Sequence, residues 1–369
     1  MTVLAFLGGL VALAAGGELL IRSSSRLATD LGVSRLFIGL TVVAFGTSAP
    51  EAVVSVVAAV EGQSDLAMGN VVGSNIFNVL FILGLSALIV PLSVSMQLIR
   101  IDVPLMVGVS LLCLVLGLDG SVGRWDGLIL LTLLVGHVVL GYRLGLRAQQ
   151  KTQASGDPPR PLAAEGLPRQ PVPWKARSLN LLVVVASLVL LVVGSRWLVA
   201  SATVLARWLG LSELVIGLTV VSAGTSLPEV ATSVMAAIRG ERDIAVGNVV
   251  GSNIFNILGV LGLSAVVAPS GLVVSPALLA FDVPVMVAVA VVCLPIFFTG
   301  MTVFRWEGVL LLTYFAIYMS YILFRAVQHD ALHGFTSVIT RVILPVTIAT
   351  LLAVTVTNLV RRGRLRANS

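Results

Sequence analysis

GLTVVAFGTSAPE at residues 39–51 returns as GLTVVSAGTSLPE at residues 217–229, and GNVVGSNIFN follows each copy, at 69–78 and again at 247–256. Across this forty-residue block the copies agree at 27 positions with a constant offset of 178, too many for shared apolar composition alone. The chain is therefore built from two related halves. Each half places one glutamate, Glu51 or Glu229, inside a long apolar segment. Two such carboxylates, delivered by two repeats, predict a cation site where the halves meet.

Hydrophobic residues make up 57% of the 369 and charged residues 11%, which excludes an ordinary soluble domain and implies many membrane crossings. Apolar segments lie near 2–21, 36–60, 66–91, 102–118, 124–142, 179–200, 213–238, 244–269, 281–299, 305–325 and 340–360. That predicts eleven spans, each long enough at about 1.5 Å per residue to cross a hydrocarbon core of about 30 Å. Apolarity is continuous rather than alternating, so the spans read as helices and not as barrel strands. Residues 1–22 lack an early basic charge and read as a first membrane helix, not a cleaved signal peptide. The net charge of +6 falls largely in loops and does not point to nucleic acid as a partner. Cys113 and Cys293 lie in apolar segments and suggest neither a disulfide framework nor a metal cluster. No phosphate-cradling glycine loop stands out, so ATP is not expected to drive the chemistry. His329 and His333, four apart in a polar stretch, read as loop residues rather than metal ligands.

The duplication extends past the block. Leu31 and Gly32 match Leu209 and Gly210, Asp102-Val103-Pro104 matches Asp282-Val283-Pro284, and Arg124-Trp125-Asp126-Gly127 matches Arg305-Trp306-Glu307-Gly308. The repeat unit is thus five helices, over residues 1–145 and 178–325. Residues 146–177, with Gln149, Gln150, Lys151 and prolines from Pro158 to Pro173, read as a flexible linker. Residues 326–369 add an eleventh span without counterpart and a basic tail. Five is odd, so the halves are inverted with respect to one another. Arg22, Arg26 and Arg35, the basic residues of the linker, Arg239 and Arg242, and the tail from Arg361 to Arg366 fall on one side of an eleven-span chain. This predicts an N-terminus outside and a C-terminus in the cytoplasm, with Arg196, Arg207, Arg325 and Arg341 running against the bias.

A carboxylate at mid-span costs about 2.5–3.5 kcal/mol or more unless paired, protonated or bound to a cation. Few basic residues lie at that depth, so an internal salt bridge is an unattractive partner for Glu51 or Glu229. Two carboxylates meeting near a pseudo-twofold axis supply hard oxygens and two negative charges, which suits a dehydrated Ca2+. Without a cation they repel, and one takes up a proton. Gly46, Pro50, Gly224 and Pro228 fall in mid-span, where proline removes a donor and opens the helix. Carbonyls released there are expected from Ala44 and Thr47, and from Ser222 and Thr225. Thr47 and Ser48 precede Glu51 by four and three residues, as Thr225 and Ser226 precede Glu229, so they are expected on the face of their own glutamate. Ser74 with Asn78, and Ser252 with Asn256, form polar stripes four residues apart. Asn75 and Asn253 fall off those stripes and read as bonds between helices. Asn70 and Asn248 read as helix caps. Gly69 with Gly73, and Gly247 with Gly251, permit close helix contact. Asp102 and Asp282 read as helix starts before proline, and Trp125 and Trp306 as interfacial anchors. Glu18 reads as an interfacial or structural charge, with an access route as the alternative.

These motifs resemble the alpha repeats of the cation/calcium exchanger superfamily, in its prokaryotic sodium/calcium exchanger branch, over roughly residues 1–325. The resemblance implies an all-α polytopic membrane protein, an antiporter rather than an enzyme. Its core would be ten helices in two inverted five-helix halves, to which the extra C-terminal helix is added. It implies Ca2+ export against Na+ by alternating access across the inner (plasma) membrane, with no cofactor beyond the transported ions. A monomer in the lipid bilayer is expected. By resemblance Glu51 and Glu229 are the central Ca2+ ligands, shared with Na+. Thr47 and Thr225 add carbonyls, Ser48, Ser226, Ser74 and Ser252 line Na+ positions, and Ala44 and Ser222 offer outer carbonyls. Asn78 and Asn256 complete the set, but where some relatives carry an Asp in one half both positions here are amides. Exchange against H+, or acceptance of K+ or Mn2+, therefore stays open.

Overall fold

The computed structural model describes residues 2–154, 174–210, 222–298 and 300–326. Its elements, in chain order, are α1 (Thr2–Leu31), α2 (Arg35–Thr47), α3 (Ala49–Val60), α4 (Ser64–Ile89), β1 (Leu92–Ser93), α5 (Leu98–Gly117), β2 (Ser121–Val122) and α6 (Arg124–Ala154). The second half supplies α7 (Trp174–Trp208), α8 (Ser222–Gly224), α9 (Leu227–Ile238), α10 (Arg242–Val267), β3 (Leu272–Val273), α11 (Leu278–Phe298), β4 (Thr302–Val303) and α12 (Arg305–Ala326).

Eight of these helices are long and apolar enough to cross a membrane, and α2 with α3 makes a ninth span bent by 48°. The seventh expected span is described only as α8 and α9, because residues 211–221 lie outside the described residues. The eleventh span, His329, His333 and the stretch 155–173 lie outside them too. The architecture is helical throughout, apart from two short ribbons that the sequence did not announce. β1 pairs antiparallel with β4 and β2 with β3, with Leu92 opposite Val303 and Val122 opposite Leu272. Each ribbon joins one half to the other.

Several boundaries shift. α1 runs ten residues past the expected end at 21, because Ser23 returns its hydroxyl to the Leu19 carbonyl at 2.7 Å and Leu27 and Ala28 are buried. Both ends of the expected linker are helical. Helix continues through Gln149, Gln150 and Lys151 to Ala154 and resumes at Trp174, since those residues favour helix and the breakers begin only at Gly156 and Pro158. Asp102 and Asp282 do not start their helices: α5 and α11 begin one turn earlier, at Leu98 and Leu278, with a π-helical turn before the proline. Trp125 and Trp306 are exposed at the first turns of α6 and α12, as interfacial anchors require.

α4 and α10, which carry the second half of each motif, are the most enclosed spans, and α6 and α12 are among the most exposed. Glycine sets the closest approaches. A Cβ on Gly251 of α10 would lie 2.6 Å from the Leu40 carbonyl oxygen and one on Gly247 3.2 Å from that of Leu36, so α10 rides directly on the backbone of α2. On Gly9 of α1 it would lie 2.9 Å from the Gly194 carbonyl of α7.

A candidate cation site between the halves

The break that the sequence placed at mid-span is present in the first half. α2 ends at Thr47, Ser48 leaves the helical region of backbone space at ψ 9°, and α3 starts with Pro50 in its first turn. In the second half Ser226 takes the same conformation at ψ 7° and Pro228 opens α9. Proline frees the carbonyl four residues before it, which is Gly46 or Gly224. The Gly224 carbonyl accepts the Ser195 hydroxyl of α7. The Ala44 carbonyl is not released as expected: it accepts the Ser48 N–H at 3.0 Å and the Thr47 hydroxyl at 3.4 Å.

Glu51 and Glu229 sit just after the two breaks, each only 1% exposed. Neither has a cationic partner among the described residues. Their hydroxyl partners come from the opposite half. Ser48 donates to Glu229 Oε1 at 2.8 Å and Ser226 donates to Glu51 Oε1 at 2.8 Å. Each serine, expected on the face of its own glutamate, bonds instead to the glutamate of the other half. The three-residue spacing holds only along a continuous helix, and the chain turns at Ser48 and Ser226 before the glutamate is reached. Inversion then carries each broken end across to the other carboxylate. Each carboxylate is thus tied to the break beside the other, so the two belong to one site. No group of three or more His, Cys, Asp or Glu side chains forms a further metal cluster among the described residues.

The amides of α4 and α10 close the site. Asn78 Nδ2 donates to Asn253 Oδ1 at 3.1 Å, and Asn256 Nδ2 donates to Asn75 Oδ1 at 3.3 Å. Asn75 and Asn253 thus bond between helices as expected. Asn70 and Asn248 are not caps. They lie inside their helices, where Asn70 donates to the Glu51 carbonyl at 3.2 Å and to Ser55 at 2.9 Å. Asn248 accepts from Thr47 at 3.2 Å and donates to Ser233 at 2.9 Å. Ser55 and Ser233 were missed by the sequence reading, although both recur at the repeat offset. Ser226 also reaches Ser74, at 3.4 Å. Glu51 Oε2, Glu229 Oε2, Asn78 Oδ1, Asn256 Oδ1, Ser252 Oγ and Thr225 Oγ1 are buried with no hydrogen-bond partner among the described residues. Buried oxygens are normally satisfied, and these six, all within the duplicated motifs and two of them carboxylate oxygens, have the chemistry of hard-cation ligands. Of Ser222 only the backbone, at the start of α8, is described.

Glu18 lies away from this set of partners. It pairs with Arg22 on its own helix and with Arg239, whose Nε is 2.7 Å from its Oε2. Arg35 pairs with Glu241 at 2.6 Å. Both bridges tie the first half to the loop after α9, which supports the structural reading of Glu18.

Inverted helical repeats around a shared intramembrane carboxylate pair define a membrane transporter of cations. The model of the sodium/calcium exchanger protein family matches residues 1–142 and 179–324, and the chain belongs to that family. It is similar to inner membrane protein YrbG of Escherichia coli, 39% identical over 287 residues that cover 77% of this chain and 85% of that one. Sodium/calcium exchanger MaX1 of Methanosarcina acetivorans is 32% identical over 84% of this chain and 95% of its own. Among solved structures, the sodium-calcium exchanger NCX_Mj soaked with zero Na+ and Ca2+ superposes with a TM-score of 0.72 at 30% identity, covering 87% of this chain and 98% of that one.

Proposed function

We propose that this protein is a secondary antiporter of the inner membrane that exports Ca2+ in exchange for Na+ by alternating access. The observation that carries this is the crossed pair of bonds, Ser48 to Glu229 and Ser226 to Glu51. A cation held there binds both halves at once, so its arrival and departure bear on how the halves sit against each other. Glu51 and Glu229 supply the charge. Asn78, Asn256, Ser74, Ser252, Thr225 and the two crossed serines supply neutral oxygens. Thr47 fixes Asn248 and offers its carbonyl, and Ser222 contributes a backbone oxygen at the rim.

Two carboxylates balance one Ca2+ or two Na+. A third Na+ would leave one uncompensated positive charge in a low-dielectric site. This arithmetic, set by the amides at 78 and 256, is the specific reason to compare counter-ions. Proteoliposomes carrying an outward Na+ gradient should accumulate 45Ca2+. Uptake driven equally by a proton or K+ gradient would move the assignment to the H+- or K+-coupled reading, and uptake indifferent to every gradient would end the antiporter reading.

The orientation belongs to the same proposal. The arginines of α1, the start of α2 and the loop after α9 face the cytoplasm, and the N-terminus lies outside. Residues 1–145 and 178–325 act as the two inverted halves, 146–177 connects them on the cytoplasmic side, and 326–369 is an added span with a basic tail. The unit is a monomer, since both carboxylates of the site come from one chain.

A further inference from the structure

An asparagine side chain can face a cation in two ways. With its oxygen inward it is a ligand; with its nitrogen inward it points two N–H dipoles at positive charge and repels it. Asn78 and Asn256 are 1% exposed, so water does not select their orientation. The structure shows what does.

We propose that Asn253 and Asn75, oriented by the thioethers of Met106 and Met286, are positioning residues that turn the oxygens of Asn78 and Asn256 toward the ion. The argument begins at sulfur. A thioether has lone pairs and no proton, so it accepts only. Asn253 Nδ2 lies 3.5 Å from the Met106 sulfur, which fixes the nitrogen end of that amide there. Its oxygen therefore faces the other way and takes the Nδ2 of Asn78 at 3.1 Å. With its nitrogen held, Asn78 presents Oδ1, which is buried and has no partner among the described residues. The second relay repeats the first. Asn75 Nδ2 lies 3.5 Å from the Met286 sulfur, Asn75 Oδ1 takes Asn256 Nδ2 at 3.3 Å, and Asn256 Oδ1 is left without a described partner. All four amides and both methionines are at most 3% exposed.

Each relay crosses between halves twice: Met106 from the first, Asn253 from the second, Asn78 from the first. Met106 and Met286 occupy matching places in the repeats, as do all four asparagines. The duplication has kept the whole chain of acceptor, amide and amide. This inference rests on the reading of the pocket as a cation site and adds the groups that set its polarity.

The test uses the full chain in proteoliposomes, with the Ca2+ KM and maximal rate of Na+-driven 45Ca2+ flux, and the Ca2+-induced rise in melting temperature in detergent. Met106→Leu with Met286→Leu keeps volume and removes the acceptors. We expect the Ca2+ KM to rise about tenfold with the maximal rate changed far less. Asn253→Ala should raise KM similarly. In an Asn78→Ala background it should add nothing, whereas in an Asn256→Ala background the two losses should multiply. A packing role for Asn253 would instead give multiplying losses in both backgrounds and a lower melting temperature without Ca2+. That pattern, or an unchanged KM in the double leucine variant, would overturn the relay. A wild-type protein whose melting temperature ignores Ca2+ would overturn the ion-site reading itself.

Discussion

Ser48 and Ser226 show how two residues with the same local sequence come to serve a partner 181 or 175 positions away. A hydrogen bond to an ionised carboxylate is worth about 1.5–3 kcal/mol, so Ser48→Ala or Ser226→Ala should weaken Ca2+ binding by about tenfold or more. The crossed geometry makes a sharper prediction. Ser48→Ala should be strongly coupled to Glu229→Gln and weakly to Glu51→Gln in double-mutant cycles of Ca2+ affinity, and Ser226→Ala the reverse. Equal coupling to both would return each serine to its own half. Glu51→Gln and Glu229→Gln remove charge from groups that are 1% exposed, so each should abolish coupled Ca2+ flux while leaving the melting temperature at or above that of the parent. Undiminished flux in both would leave the site without its charge. The carboxylates were legible from the sequence because an acidic residue in an apolar run has few explanations. Their partners were not legible, because helical spacing assumes a straight helix and the turn at Ser48 breaks that assumption.

At the scale of elements, proline and glycine carried most of the readable signal. Pro50 and Pro228 sit where the helices restart, and the Gly247–Gly251 spacing marks the face of α10 that lies on α2. Gly251→Val should therefore prevent assembly. Its Cβ would meet the Leu40 carbonyl at 2.6 Å, backbone that cannot rotate away. The fraction of monodisperse protein after extraction reports this, and Gly108→Ala is the control. Gly108 faces no described atom within 4 Å, and in mid-helix this change is expected to be neutral or to stabilise by about 0.5–1 kcal/mol. A monodisperse Gly251→Val protein with normal stability would contradict the packing. Other elements left no trace in the sequence. The π-helical turns that begin at Asn78 and Asn256 run on through apolar stretches, VLFIL and ILGVL, where a wider turn changes no visible periodicity. The ribbons β1–β4 and β2–β3 pair two residues each, too short for alternation to register. The far end of α1 was hidden by its serines, of which Ser23 hydrogen-bonds to its own helix rather than ending it.

For the molecule as a whole, the repeats carry a record of opposite charge. At the offset of 178, Glu18 corresponds to Arg196 and Arg239 to Glu61. The pair that joins α1 to the end of α9 therefore has a counterpart joining α7 to the end of α3, with its polarity reversed. The first pair is made. In the second, Glu61 instead accepts from Gln63 at 3.0 Å, and Glu61 and Arg196 are both exposed. Inverted repeats exchange the conformations of their halves when access alternates, so the opposite-facing state should join Glu61 to Arg196 and part Glu18 from Arg239. Exposed ion pairs contribute about 0–1 kcal/mol each, a size that biases such an equilibrium without freezing it. Cysteine pairs at 18 with 239 and at 61 with 196, in a background with Cys113 and Cys293 replaced, report the exchange through a cleavable thiol cross-linker. The first pair should link in the arrangement described here. The second should link only under ion gradients that favour the other state, and linking either pair should halt 45Ca2+ flux until the linker is cleaved. If the pair at 61 and 196 never links while flux continues, the two faces do not exchange in the way their inverted charges require.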